Sequence, residues 1–257
     1  MAKPFAVPVV LVAGFLSAGL YAAVVGLGLG FLFMFLPLMP LLWLGLSRTD
    51  AAALHSSLIA TLFITVVISP IHALLFLLTL SLPATYLCFH ALKRGQFGPI
   101  TVWFPFIVLA ARAVAACSFL MLALTLYHAG QDAALPALVT TRIHDALTLL
   151  LADQPELDAD TISSVAERMS FLVFPATVWM WALSLYLHAL IVNQELVRRK
   201  QARRESLRIQ PFAPPNWMIS LILIAALASL IGGKSLAFWG QSSLILLIFP
   251  YFLLGAA

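Results

Sequence analysis

The stretch that decides the fold is Phe171–Arg208, FLVFPATVWMWALSLYLHALIVNQELVRRKQARRESLR. As far as Val197 its only charged residue is Glu195. A bilayer core of about 30 Å is crossed by roughly 20 apolar residues in helix, so this run is long enough to span. Arg198, Arg199, Lys200, Arg203, Arg204 and Arg208 follow at once. An apolar run closed by a basic stop is the pattern of a transmembrane helix that ends on the cytoplasmic side.

Working outward, the same pattern recurs along the chain. Besides Phe171–Val197, the segments Phe5–Gly26, Leu27–Leu46, Ala51–Ile68, Ile71–Leu92, Ile100–Tyr127, Asn216–Ile231 and Phe238–Ala257 have the length and composition of spans or nearly so. Gly26, Gly28 and Gly30 permit a tight turn between the first two. Ser69-Pro70 is the one break between the third and fourth, and a single kinked helix or a re-entrant pair competes with two spans there. The chain is 63% hydrophobic and 9% charged, with a mean hydropathy of +1.05. A soluble domain is nearer half apolar and a quarter charged.

The charges fix an orientation. With the N-terminus in the cytoplasm and sides alternating, Lys3, Arg48, Lys93, Arg94 and the 198–208 cluster all fall inside. Arg142, Arg168 and Lys234 fall outside, and Arg112 alone remains in a span. That is the expected cytoplasmic excess. The pI near 9.3 and net charge of +4 therefore reflect insertion bias and anionic lipid, and no nucleic-acid partner is expected. Phe5–Gly26 is longer than the apolar core of a cleaved signal, and more apolar sequence follows directly.

The expected fold is an all-α, polytopic transmembrane helix bundle of about eight spans, N-in, forming one domain over 1–257 in a bacterial inner membrane. An acidic helical hairpin at 128–170 is inserted on the extracytoplasmic side. Its first helix carries Leu135, Leu138, Ile143, Leu147 and Leu150 on one face. Asp153-Gln154-Pro155-Glu156 turns the chain, and Ser164 with Glu167 has the pattern of a capping box for a second short helix. The basic, proline-bearing loop at 198–215 is a cytoplasmic anchor to lipid headgroups.

Candidate functional residues are sparse. Gly14, Ala18, Ala22, Gly26 and Gly30 recur every four residues and let a neighbouring helix approach closely, within the chain or in a homo- or hetero-oligomer. Pro37 and Pro40 remove backbone donors from the second span, which kinks or breaks it, and a broken helix is a common ingredient of transport sites. Thr61, Thr65 and Ser69, with Ser57 one turn earlier, form a polar stripe that either lines a cavity or bonds back to i−4 carbonyls. Arg112 lies about 18 Å into a span that starts at Ile100. At that depth it needs a wet cavity or carbonyl partners, such as those Pro37 and Pro40 free. His188, on the sixth span, belongs to the same candidate cavity. His72 and His90 are about 27 Å apart along the helix axis and share no metal. No catalytic pair, metal set or cofactor motif can be named, and Cys88 and Cys117 read as small buried hydrophobes.

The runs LPATYLCFHALKRG and VWFP, then LYLHALIVNQELVRR, a proline-bearing loop, NW and the closing FPYFLLGAA resemble the YybS-like family of uncharacterised bacterial polytopic membrane proteins. The resemblance covers roughly residues 20 to 257. It implies a helical layout loosely similar to the substrate-binding membrane subunits of energy-coupling-factor transporters. It transfers no functional residue, because that family has no established activity. Members of the family usually carry a short basic tail where this chain stops at Ala257, which implies a truncated C-terminus.

Two functions follow as expectations, neither of them enzymatic. One is binding or transport of a small, anionic molecule in a cavity near Arg112, Pro37–Pro40 and Thr61–Ser69. The other is a membrane scaffold that recruits partner proteins. Membrane lipids are expected partners in both.

Overall fold

The computed structural model describes residues 7–28, 33–97, 100–103, 106–129, 135–151, 158–203 and 215–251. The helices are α1 (Val7–Gly26), α2 (Leu38–Ser47), α3 (Asp50–Val67), α4 (Pro70–Ala91), α5 (Phe106–Ala129), α6 (Leu135–Leu150), α7 (Ala159–Arg198), α8 (Trp217–Ile231) and α9 (Lys234–Leu247). A short antiparallel hairpin, β1 (Arg94–Phe97) and β2 (Ile100–Trp103), pairs Arg94 with Trp103. Among the described residues, α1, α3, α4, α5 and α7 are long and apolar enough to cross a membrane, which marks a membrane protein. The helices α2 and α8 are apolar but shorter.

The faces of α3 show which solvent the fold expects. Its inward positions Ala53, Ser57, Ala60 and Ile64 are fully buried and mostly small. Its outward positions Leu54, Leu58, Leu62 and Val66 are large and apolar, with Val66 79% exposed. Water would penalise that outer stripe, whereas hydrocarbon does not.

Several boundaries differ from those the hydrophobic pattern predicts. The segment Ile100–Trp103 is a strand, because Ile, Thr, Val and Trp fit a pleated surface as well as they fit a span. The helix expected from Ile100 therefore begins at Phe106. The second span, expected over Leu27–Leu46, is interrupted by turns at 34–37, after a helical Phe33 and before the helix that starts at Leu38. Ser69 and Pro70 separate two full helices: Ser69 caps α4 by accepting from the His72 N–H at 3.2 Å, and Pro70 takes the first turn. A π turn at Leu77–Ser81 interrupts α4 just before Pro83, which has no N–H to donate into a regular ladder.

The acidic hairpin also differs. α7 is one helix of 40 residues, about 60 Å long, so the expected second hairpin helix and the sixth span are continuous. Its cap is Asp158, whose carboxylate accepts from the Thr161 N–H at 2.9 Å, rather than Ser164. Residues 152–157, including the expected turn, lie outside the described residues.

The sequence reads as one domain, and the chain divides into two compact units, 1–109 with 183–210 and 110–182 with 211–257. In the first, α1 and α3 run parallel: Val10 meets Ser56 and Phe15 meets Phe63. α2 runs the other way along α1, from Ser17 opposite Pro37 to Val10 beside Leu44. α4 folds back along α3, since Ser57 reaches Thr85. The last part of α7 follows α2, with His188 against Phe35 and Arg199 over Trp43.

In the second unit, α8 and α9 form a hairpin across Gly232 and Gly233. Gly240 of α9 lies so close to α8 that a Cβ there would sit 2.6 Å from the Ala225 carbonyl. Hydrogen bonds join α9 to α5 and α7: Ser118 Oγ donates to Ser243 Oγ at 2.8 Å, Trp239 Nε1 to the Ser118 carbonyl at 2.9 Å, and Trp179 Nε1 to the Leu246 carbonyl at 3.3 Å.

Candidate functional site

The polar stripe on α3 bonds to its own helix. Thr61 donates to the Ser57 carbonyl at 2.9 Å and Thr65 to the Thr61 carbonyl at 2.8 Å. Ser57 is fully buried and meets Thr85 Oγ1 at 3.3 Å, and Ser69 is engaged as the α4 cap. Of the two readings of this stripe, back-bonding describes the geometry.

Pro37 closes the turns at 34–37 that follow a helical Phe33, so helix is interrupted there, and Pro37 and Pro40 start the helix that comes next. Pro37 sits at the N-cap of α2 and Pro40 in its first turn, where a missing N–H has no intrahelical role. The Pro37 carbonyl accepts from Ser17 Oγ of α1 at 2.6 Å, in the buried interior.

Arg112 is the seventh residue of α5, about 9 Å from its start instead of 18 Å. It is exposed. From that depth a guanidinium can snorkel towards headgroups at the helix start. It belongs to the second unit, whereas Thr61, Thr65, Pro37, Pro40 and His188 belong to the first. His188 is half-buried, its Nδ1 lies 2.7 Å from the Ser184 carbonyl, and its ring packs on Phe35.

The small-residue stripe of α1 divides along its length. A Cβ on Gly14 would sit 2.8 Å from Ile59 and 2.9 Å from the Ser56 carbonyl, and Ala18 is fully buried. Ala22 is half-buried and Gly26 is exposed with open space around it. Gly28 adopts a positive φ of 62°, as a turn after α1 demands. Gly30 lies outside the described residues. The close approach is therefore within the chain, against α3, over the first half of the stripe.

Three features carry little signal in one dimension. First, one end of the first unit gathers the C-termini of α2, α4 and α7, with Arg48, Lys93, Arg198, Arg199, Lys200 and Arg203. Arg199 lies 5.2 Å from the centre of the Trp43 ring, and Arg203 Nη1 donates to the Arg48 carbonyl. Glu195 holds both Arg198 and Arg199, at 2.7 and 2.6 Å. The alternating-side count hinted at this gathering, but not at Trp43. Second, Ser242 Oγ donates at 2.9 Å to the Phe171 carbonyl, the acceptor that Pro175 leaves without its i+4 donor. A proline inside an apolar span was the available signal. Third, the Ser81 hydroxyl in the π turn is fully buried and has no hydrogen-bond partner.

Among the described residues, no group of three or more His, Cys, Asp or Glu could hold a metal ion. Cys88 is buried against Gly45 and Cys117 is half-buried. No family model, no curated protein and no solved structure matches this chain.

Proposed function

We propose that this is a multi-pass protein of a bacterial inner membrane, N-terminus inside, that acts as a scaffold for partner proteins and not as an enzyme. What carries the reading is the engagement of Thr61, Thr65 and His188 with carbonyls of their own helices, and of the Pro37 carbonyl with Ser17. Side chains that line a binding cavity would instead present donors to a ligand. The overhang of α7 supports the same reading. Its first turns, from Ala159 to Ser170, carry Asp160, Glu167 and Arg168 and extend about 18 Å before the apolar run begins. The eight-span topology and the kinship with the YybS-like family are parts of this proposal.

Photo-crosslinkers at exposed Ser163 and Glu167 test it in intact cells. The scaffold reading expects a discrete heteromeric product from these positions and none from Val66, which faces lipid. Absence of any product at Ser163 and Glu167 overturns it.

Binding of a small anion at Arg112 is the second reading, favoured by the exposure of that residue on a membrane-length helix. It expects thermal stabilisation of the purified protein by a small anion, lost in Arg112→Leu. If Arg112→Leu leaves stability, expression and the response to anions unchanged, the anion reading fails.

A further inference from the structure

The first unit holds an amphiphilic surface along the last part of α7. Leu183, Leu187 and Ile191 are spaced by four, and each is between 44% and 51% exposed. One helical face therefore presents a continuous apolar stripe. Arg198 continues that stripe seven residues beyond Ile191, two turns on, and is 75% exposed. Arg199, 56% exposed, lies beside it. The Glu195 carboxylate grips both guanidinium groups, restricting their rotamers, and takes only part of the five N–H donors that each carries. Lys200 follows in a left-handed conformation, with φ of 56°, that ends the helix and turns the chain aside.

Cations placed directly at the end of an exposed apolar stripe match a molecule with a negative head and hydrocarbon tails. A free phosphate or a soluble anion would make no use of Leu183, Leu187 and Ile191. A neutral zwitterionic lipid would gain the same tail contact but would bring its own cation to the arginines. We infer that this surface binds an anionic phospholipid, its phosphate at Arg198 and Arg199 and its acyl chains along the α7 stripe. The site lies outside the candidate cavity and stands whether the protein is a scaffold or an anion binder.

Native mass spectrometry of the purified full chain tests it, with phosphatidylglycerol, phosphatidylcholine and inorganic phosphate added separately. Phosphatidylglycerol is expected to be retained in preference to phosphatidylcholine. Each basic side chain near a membrane surface contributes about fivefold to the binding of anionic lipid, so Arg198→Gln with Arg199→Gln lowers retention about 25-fold. Arg198→Lys with Arg199→Lys keeps most of it, and Lys234→Gln, in the second unit, keeps all of it. Thermal unfolding of each variant in plain detergent checks that the fold survives, and the lysine pair supplies the comparison if the glutamine pair unfolds. Equal retention of the two lipids overturns the inference. So does an unchanged preference in the glutamine pair, a lost preference in a folded lysine pair, or displacement of the lipid by millimolar inorganic phosphate.

Discussion

Ser242 donates its hydroxyl proton to the Phe171 carbonyl at 2.9 Å, one turn before the proline that deprives that carbonyl of its helical donor. Without Pro175, the residue at that position would supply an N–H to Phe171 in the usual i→i−4 ladder. With it, α7 keeps its course only if another donor arrives, and α9 brings one. Ser242→Ala is expected to destabilise the protein by about 1 kcal/mol, the scale of cross-helix hydrogen bonds in membranes. Pro175→Ala should remove most of that penalty in the double variant, because the restored N–H satisfies the carbonyl. Thermal unfolding of the two single variants and the pair checks the cycle; additive losses would contradict it.

Glycines give a graded prediction. Gly45 faces Ala53 and Cys88 so closely that a Cβ would fall 2.9 Å from Ala53 Cβ. Gly19 has nothing within 4 Å of where a Cβ would stand. Gly45→Ala should therefore cost about 1–3 kcal/mol through overpacking. Gly19→Ala should be neutral or gain up to about 1 kcal/mol from helix propensity. Melting temperatures of the two variants in one detergent decide it, and equal shifts would contradict the packing.

Asp158 makes the start of α7 sensitive to acid. The Thr161 hydroxyl first, and its backbone N–H second, hold the Asp158 carboxyl below the usual carboxylate range. Its folded pKa lies below the unfolded one, near 3.9, so its stabilisation is complete above that value and is lost as pH falls through the folded value. Amide exchange at Thr161 and Ile162 should therefore accelerate, beyond its intrinsic pH dependence, on acidification below about pH 4. Asp158→Asn, which caps without titrating, should show no such acid step.

Cysteine labelling separates water from lipid along α7. Ser163 and Val173 are both exposed in the chain. A membrane-impermeant maleimide should label Ser163→Cys from the outer face and leave Val173→Cys unlabelled until detergent is added. Rapid labelling of both in intact membranes would contradict an overhang at 159–170 distinct from the lipid-facing run.

Much of the helical order was legible in the sequence, because an apolar run of sufficient length closed by Arg or Lys has few alternatives in a bilayer. At Ser69-Pro70 the sequence showed a break but left one kinked helix or a re-entrant pair open beside two spans; the Ser69 cap on the His72 N–H, seen only in the structure, separates two helices. The start of α5 was not legible. Ile100–Trp103 is apolar in either structure, and hydropathy does not distinguish a strand from a helix turn over so few residues. Arg112 was consequently counted about 18 Å into its helix, where it stands about 9 Å from the start. The α7 cap was also misplaced, because Ser164 and Glu167 match a capping box that tertiary continuity overrides.

By itself the sequence determined the solvent and the helical class. Both follow from local quantities: the length of each apolar run and the charges in the gaps. Only the tertiary structure decided how the polar groups inside those runs are satisfied. Ser17 serves Pro37, Ser242 serves Phe171 and Glu195 orders two arginines, whereas Thr61 and Thr65 turn back on their own helix. In hydrocarbon a buried donor without an acceptor within about 3 Å is costly, and the Ser81 hydroxyl is one that has none. A sequence states which donors exist; their distances to acceptors exist only once the helices are packed.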